Sequence, residues 1–93
     1  MIFAWMGYLK PGAGPIPQSV QLETTDFLSQ PYITIHTVGQ LLDESGKRAG
    51  MMMIFEVPDR QAAEEFVAGS PYLQAGLYEQ HRLHEYQLEV GEF

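Results

Sequence analysis

The hydrophobic positions of the chain fall mainly into runs with the spacing of β-strands. Ile2–Leu9 and Met51–Val57 are apolar at nearly every position and lack a helical period, which is typical of strands covered on both faces. Tyr32–Val38 alternates and is rich in β-branched residues, so it predicts a strand that runs towards Leu42. The stretch from Leu77 to about Val90 predicts the last strand.

Helical segments are predicted between these strands. The stretch from Ser19 to about Gln30 is suited to a helix that its serine caps and the following proline stops. Asp59 is suited to cap a second helix. Ser70 is predicted to cap a short helical turn that has Pro71 at its first position and ends at Gly76. The order β-α-β-β-α-β predicts an α+β, ferredoxin-like fold with an antiparallel sheet of four strands.

The length and composition predict a single domain over residues 1–93 that pairs with a second copy. A chain of this size buries only about 60 to 65% of its surface on folding. Hydrophobic residues make up 45% of the sequence and charged residues 18%. Helices on one face of such a sheet leave an apolar face uncovered, and we therefore expect a homodimer.

The charge of the chain excludes some classes of partner. Its formal net charge is −7, which repels nucleic acids and anionic membrane surfaces. No apolar run approaches the length that spans a bilayer, and no secretion signal is recognisable at the N-terminus. A cytoplasmic protein is predicted, with no nucleic-acid or membrane partner. The absence of cysteine removes thiolate chemistry, and neither a metal nor another cofactor is expected.

Several motifs of the second half resemble those of the YciI family, also described as the YCII-related domain. They are Gly39–Gly46, Gly50 before the Met-rich strand, Ala63–Val67 and the run Ser70–Glu79, in which Pro-Tyr is followed by Ala-Gly-Leu-Tyr-Glu. The resemblance covers roughly Gly39–Tyr86. It implies a dimeric α-β barrel related to muconolactone-isomerase-like and dehydrochlorinase-like enzymes.

The sequence departs from the family at the residues to which activity is attributed. The resemblance implies a histidine on the first helix that acts with the aspartate of an Asp-Pro-Tyr motif. Here the helix predicted over Ser19–Gln30 has no histidine, and Ser70 stands in the aspartate position. Serine caps a helix about as well as aspartate, but it cannot orient an imidazolium by charge.

Two of the three histidines are candidates for a relocated catalytic base. His81 shares one strand face with Leu83 and Glu85, and the alternation places His36 with Thr34 and Val38. Either imidazole can act as a general base near neutral pH. The alternative interpretation for each is a histidine that hydrogen-bonds within the fold or at a dimer edge.

Four further residues are candidates for substrate binding: Trp5, Tyr8, Ser70 and Tyr72. Aromatic side chains can line a pocket for an aromatic ligand, although they more often form core and interface. Two functions therefore remain open. The favoured one is a dimeric small-molecule-binding module that lacks the family's His-Asp pair, and the alternative is a small isomerase or lyase that acts on an aromatic or enol metabolite.

Overall fold

Four antiparallel strands form one sheet in the order β2-β3-β1-β4. The computed structural model describes residues 1–12, 16–29 and 33–93. The predicted order of elements is confirmed, whereas Gln30, Tyr32 and part of the connector before the first helix lie outside the described residues. The elements are β1 (Ile2–Leu9), α1 (Gln18–Leu28), β2 (Thr34–Leu42), β3 (Arg48–Glu56), α2 (Arg60–Ala68), α3 (Pro71–Gln74) and β4 (Tyr78–Glu85).

The hydrophobic core lies between the helices and one face of the sheet. Among the described residues, the largest fully buried side chains are Trp5, Phe3 and Phe55. Phe3 pairs with Phe55 and Trp5 pairs with Met53, so all of them point to the same face of the sheet. Phe66 of α2 packs on Phe55 with ring centroids 4.9 Å apart, and Phe27 of α1 stacks on Phe66 at 4.5 Å. The side chains of β1 therefore alternate between a face buried in the core and an open face.

The open face of the sheet has an apolar centre. Ala4, Met6 and Met52 are partly exposed there and do not belong to the buried core cluster. In register with them on β4 are Arg82 and His84. The strands that looked apolar on both faces thus have one face in the core and one face that the described helices do not cover.

The last strand is shorter than the sequence predicts. β4 ends at Glu85, and the Tyr86 amide still donates a hydrogen bond to the Ile2 carbonyl at 2.8 Å. Ile2 is the first residue of β1, so beyond Tyr86 the chain has no neighbouring strand to pair with. The prediction that the strand continues to about Val90 was wrong for this reason.

An irregularity in β2 reverses the alternation on which the prediction for His36 depended. The pairing with β3 shifts between Ile35 and Thr37, which pair with Phe55 and Ile54 respectively. Thr34 and Thr37 therefore share the open face, while Val38 pairs with Met53 on the core side. The prediction that Val38 lies on the face of His36 and Thr34 was wrong, because a bulge inserts one extra residue.

One of the three predicted helix caps is confirmed. The Asp59 side chain accepts a hydrogen bond from the Ala62 amide at 2.8 Å at the start of α2. α1 begins one residue before Ser19, with Pro17 at the capping position. Ser70 occupies the capping position of α3, but its side chain makes no capping bond, and its carbonyl accepts from the Gln74 amide instead. None of the described helices is long and apolar enough to cross a membrane.

We expect Asp59→Ala to lower the free energy of unfolding by about 0.5–2 kcal/mol, because it removes a cap that is made. Ser70→Ala should change it by less than about 0.5 kcal/mol, because no capping bond is lost. Ser70→Asp should be clearly destabilising, since it introduces a carboxylate at a residue that is only 8% exposed. Urea unfolding of the three variants measures these differences; a large loss in Ser70→Ala would contradict the assignment.

Candidate functional site

His81 lines a cleft between α2, α3 and β4. The cleft has a volume of about 240 Å³. On β4, His81 pairs with Gly7 and Leu83 pairs with Trp5, which places both side chains on the helix side of the sheet. The predicted shared face of His81 and Leu83 is therefore confirmed. The other lining residues are Arg60, Glu64, Val67, Ala68 and Leu73.

The ring of His81 is held by a hydrogen bond from the core. The indole Nε1 of Trp5 lies 3.2 Å from His81 Nδ1, and Trp5 is only 1% exposed. Because an indole nitrogen only donates, Nδ1 must be the acceptor. Neutral His81 then carries its proton on Nε2, so it is a hydrogen-bond donor at that atom.

A pair of opposite charges borders the same cleft. Arg60 Nε donates to Glu64 Oε1 at 3.2 Å, one helical turn along α2. The guanidinium also reaches the Leu83 carbonyl at 3.4 Å, which links the helix to β4. The pair is exposed, so its contribution to stability is small. Arg60 nevertheless provides a hydrogen-bond donor beside His81 and Glu64 provides an acceptor, and the rest of the cleft is apolar.

His36 lies on the other side of the sheet. Its Nε2 is 3.0 Å from Glu56 Oε1, and its ring stacks on Phe93 with centroids 4.5 Å apart. The side chain is largely covered by these contacts and lines none of the clefts described here. His36 therefore has a carboxylate partner without a cleft, whereas His81 has a cleft without a hydrogen-bonded carboxylate.

The four predicted binding residues are not brought together. Trp5 lies beneath His81 in the core, and Tyr8 is 37% exposed on the open face opposite to Trp5. Tyr72 is buried, and its hydroxyl accepts a hydrogen bond from Arg48 Nη1 at 3.0 Å. Neither Tyr72 nor Ser70 is among the residues that line the His81 cleft.

Sequence reasoning missed Arg60 and Glu64 as neighbours of His81. Their spacing of four residues after a capping aspartate is a signal that they share one helix face. What the sequence lacks is the information that this face of α2 lies over β4. Among the described residues, no group of His, Asp and Glu side chains is arranged to hold a metal ion.

A second cleft of about 530 Å³ lies between α1 and α2. It is lined mainly by apolar side chains, including Phe27, Val57 and Phe66, and Glu65 is the one ionisable group among its described lining residues. The cleft therefore offers packing but little hydrogen bonding, and we regard the His81 cleft as the better candidate for chemistry.

The side chain of Tyr78 lies in the core beside Trp5 and Tyr72, and its hydroxyl is buried. It has no hydrogen-bond partner among the described residues, although its ring packs edge-on against Trp5 with centroids 5.1 Å apart. Burial raises the pKa of Tyr78 well above its usual value, with a smaller increase from nearby Tyr72 and an opposing effect of Arg48.

We expect Tyr78→Phe to raise the free energy of unfolding by about 1 kcal/mol, because it removes a buried hydroxyl that is not hydrogen-bonded. Because the pKa of Tyr78 is raised in the folded state, the hydroxyl ionises more easily in the unfolded chain. The unmodified protein therefore keeps its full free energy of unfolding below the unfolded pKa of about 10 and loses part of it as the pH rises above that value. The variant should therefore lose less stability than the unmodified protein in alkaline buffer. Urea unfolding at neutral and alkaline pH is the measurement, and a less stable variant would reveal a partner for the hydroxyl.

The sequence model of the YCII-related domain matches residues 1–87 of the chain. This match extends the resemblance seen in the second half to the first strand and first helix. A comparison with curated proteins finds no significant match in sequence.

Solved structures with the same fold include enzymes that act on small molecules. The 5-chloro-2-hydroxyhydroquinone dehydrochlorinase of Burkholderia phenoliruptrix, in complex with 2,5-dihydroxybenzoquinone, is similar with a TM-score of 0.79 and 19% identity over 94% of each chain. An antibiotic biosynthesis monooxygenase gives 0.58 and 17% identity, covering 97% of this chain and 100% of its own. A cofactor-independent oxygenase of Streptomyces nogalater gives 0.53 and 18% identity, covering 98% and 96%. At these identities the likeness concerns the fold.

Proposed function

Because this chain belongs to the YCII-related domain family, we propose that it is a dimeric module that binds a small molecule in the His81 cleft. The observation that carries the proposal is the hydrogen bond from Trp5 Nε1 to His81 Nδ1 at 3.2 Å. It leaves the Nε2–H of His81 as a fixed donor for a ligand oxygen. A general base needs the opposite, a free nitrogen that accepts a proton.

The ligand class follows from the size and polarity of the cleft. Its volume of about 240 Å³ is below the roughly 300–1,000 Å³ typical of sites for drug-sized ligands. A single ring with hydroxyl or carbonyl oxygens matches this volume. His81 and Arg60 supply donors, Glu64 supplies an acceptor, and the walls are apolar. The dehydrochlorinase with the same fold holds a ring compound of this type.

A second copy of the chain is proposed to cover the open face of the sheet. The centre of that face is apolar at Met6 and Met52, and polar side chains such as Arg82 border it on β4. An apolar centre with a polar rim is the usual composition of a protein interface. Light scattering should give twice the chain mass of 10.5 kDa.

The cytoplasmic location stays a prediction.

Titration calorimetry with hydroquinone, a neutral ring diol, tests the binding site. His81→Leu removes the Nε2 donor and should weaken binding by about tenfold or more. His84→Gln is the matched control. His84 lies on the opposite face of β4, so this variant should leave the affinity unchanged. Equal affinities of unmodified protein and His81→Leu would contradict the proposal.

The alternative function is a small enzyme with a relocated histidine base. The pair of His36 and Glu56 at 3.0 Å favours it, because a carboxylate that holds an imidazole is a common arrangement for proton transfer. Such a site would need the partner copy to form a pocket on the open face. Turnover of hydroquinones by the unmodified protein that is abolished in His36→Ala or His81→Ala would support it. Undiminished turnover in the folded double variant would eliminate both histidines as the base.

A further inference from the structure

A third cleft, of about 590 Å³, lies where the end of β1 meets the β2–β3 hairpin. Three of the chain's five lysines and arginines line it: Lys10, Lys47 and Arg48. In a protein with a net charge of −7, this concentration of positive charge is unusual. Mutual repulsion of cations is unfavourable unless an anion or a carboxylate offsets it.

None of these three side chains is paired with a carboxylate in the part of the chain that the structure describes. The ion pairs there are His36–Glu56 and Arg60–Glu64. Arg48 is half-buried and is instead held by Tyr72, whose hydroxyl accepts from Nη1 at 3.0 Å and whose ring centroid is 5.9 Å from the guanidinium carbon. A guanidinium fixed in this way keeps most of its five N–H donors for another acceptor.

The single carboxylate of the cleft is engaged in the hairpin turn. Oδ1 of Asp43 accepts hydrogen bonds from the Ser45 amide, the Ser45 hydroxyl and the Lys47 amide, at 2.9, 2.7 and 3.0 Å. The pKa of Asp43 is lowered, chiefly by the hydrogen bond from the Ser45 hydroxyl and the backbone bond from Lys47. It therefore stays ionised, and three cations with one carboxylate leave two net positive charges.

We propose that this cleft binds a small organic anion with two negative charges, at a site separate from the His81 cleft. Arg48 donates to a carboxylate or phosphate of the ligand, and Lys10 and Lys47 balance its charge. Leu9, Pro11 and Ala49 form an apolar wall against which the carbon skeleton of the ligand packs. The volume leaves room for a ring or a short chain besides the anionic group.

The test is an NMR titration of the ¹⁵N-labelled protein in slightly alkaline buffer at constant ionic strength, with phthalate and inorganic phosphate as probes. Saturable shifts of the amides of Lys10, Lys47 and Arg48 are expected with at least one probe. The probe that binds more tightly identifies the preferred group as carboxylate or phosphate. Phthalamide, which is neutral, should cause no saturable shift.

Three variants separate a specific binding site from non-specific attraction between charges. Arg48→Gln should raise the dissociation constant by about tenfold or more. The double variant Lys10→Gln/Lys47→Gln should do the same. Both lysines are exposed, so this variant does not disturb Tyr72. Arg82→Gln removes a positive charge from the open face and should leave the affinity unchanged. Shifts no larger than those from sodium chloride, or equal weakening by all three variants, would overturn the proposal. The His81 amide reports the other cleft, so the two sites can fail independently.

Discussion

Gly50→Ala is expected to lower the free energy of unfolding by at least about 3 kcal/mol and the melting temperature by more than about 10 °C. A methyl group at Gly50 would overlap the carbonyl oxygen of Gly7 and lie 3.2 Å from its carbonyl carbon and 3.3 Å from the Tyr8 Cα. These are backbone atoms of β1, which is hydrogen-bonded to strands on both sides. They cannot move away as a flexible side chain can.

Gly39→Ala is the matched control for this prediction. Gly39 also lies in a strand, but nothing is within 4 Å of a methyl group placed there. Alanine restricts the unfolded chain more than glycine does, so this variant should be neutral or more stable by up to about 1 kcal/mol. Thermal and urea unfolding of both variants give the comparison. Equal stability of the two would contradict the close approach of β1 and β3.

The second large effect is expected at the open face. Met52→Glu should weaken the proposed dimer by about thirtyfold or more, because Met52 lies at the apolar centre of that face, in register with Met6. In a twofold interface each copy contributes the same residue, so the variant would bury two carboxylates close together. Their desolvation and mutual repulsion would both be unfavourable. Sedimentation equilibrium over a range of protein concentrations measures the change.

Gln40→Glu is the control for charge alone. Gln40 is exposed on β2 and pairs with Met51 on the helix side, so its variant adds the same charge away from the proposed interface. It should dimerise like the unmodified protein. A monomeric unmodified protein, or a dimer that tolerates Met52→Glu, would show that this face is not the interface.

The two glycines illustrate how far the sequence can be read. Gly39 and Gly50 both belong to the motifs that resemble the family, and nothing in the sequence separates them. Only the pairing of Gly50 with Tyr8 brings it against the backbone of the neighbouring strand. The order of the elements was predictable because hydrophobic spacing and breaker residues are local signals. Close contact between strands that are distant in sequence is not a local signal.

The candidate site was predictable in part for the same reason. The face of β4 that carries His81 and Leu83 follows from strand alternation and is confirmed. For His36 the alternation failed, because the bulge between Ile35 and Thr37 leaves no mark in the residue types. The predicted cap at Ser70 was wrong although the residue type is favourable, since a preference does not determine which hydrogen bond is made.

The bond between Trp5 and His81 also gives the molecule a built-in optical reporter. Trp5 is the only tryptophan in the sequence, and its indole nitrogen contacts a residue that lines the cleft. The emission spectrum of an indole depends on its hydrogen bonding and on the polarity around it. Any compound that shifts His81 or displaces water near it should therefore change the intrinsic fluorescence of the protein, which allows collections of metabolites to be screened without a label.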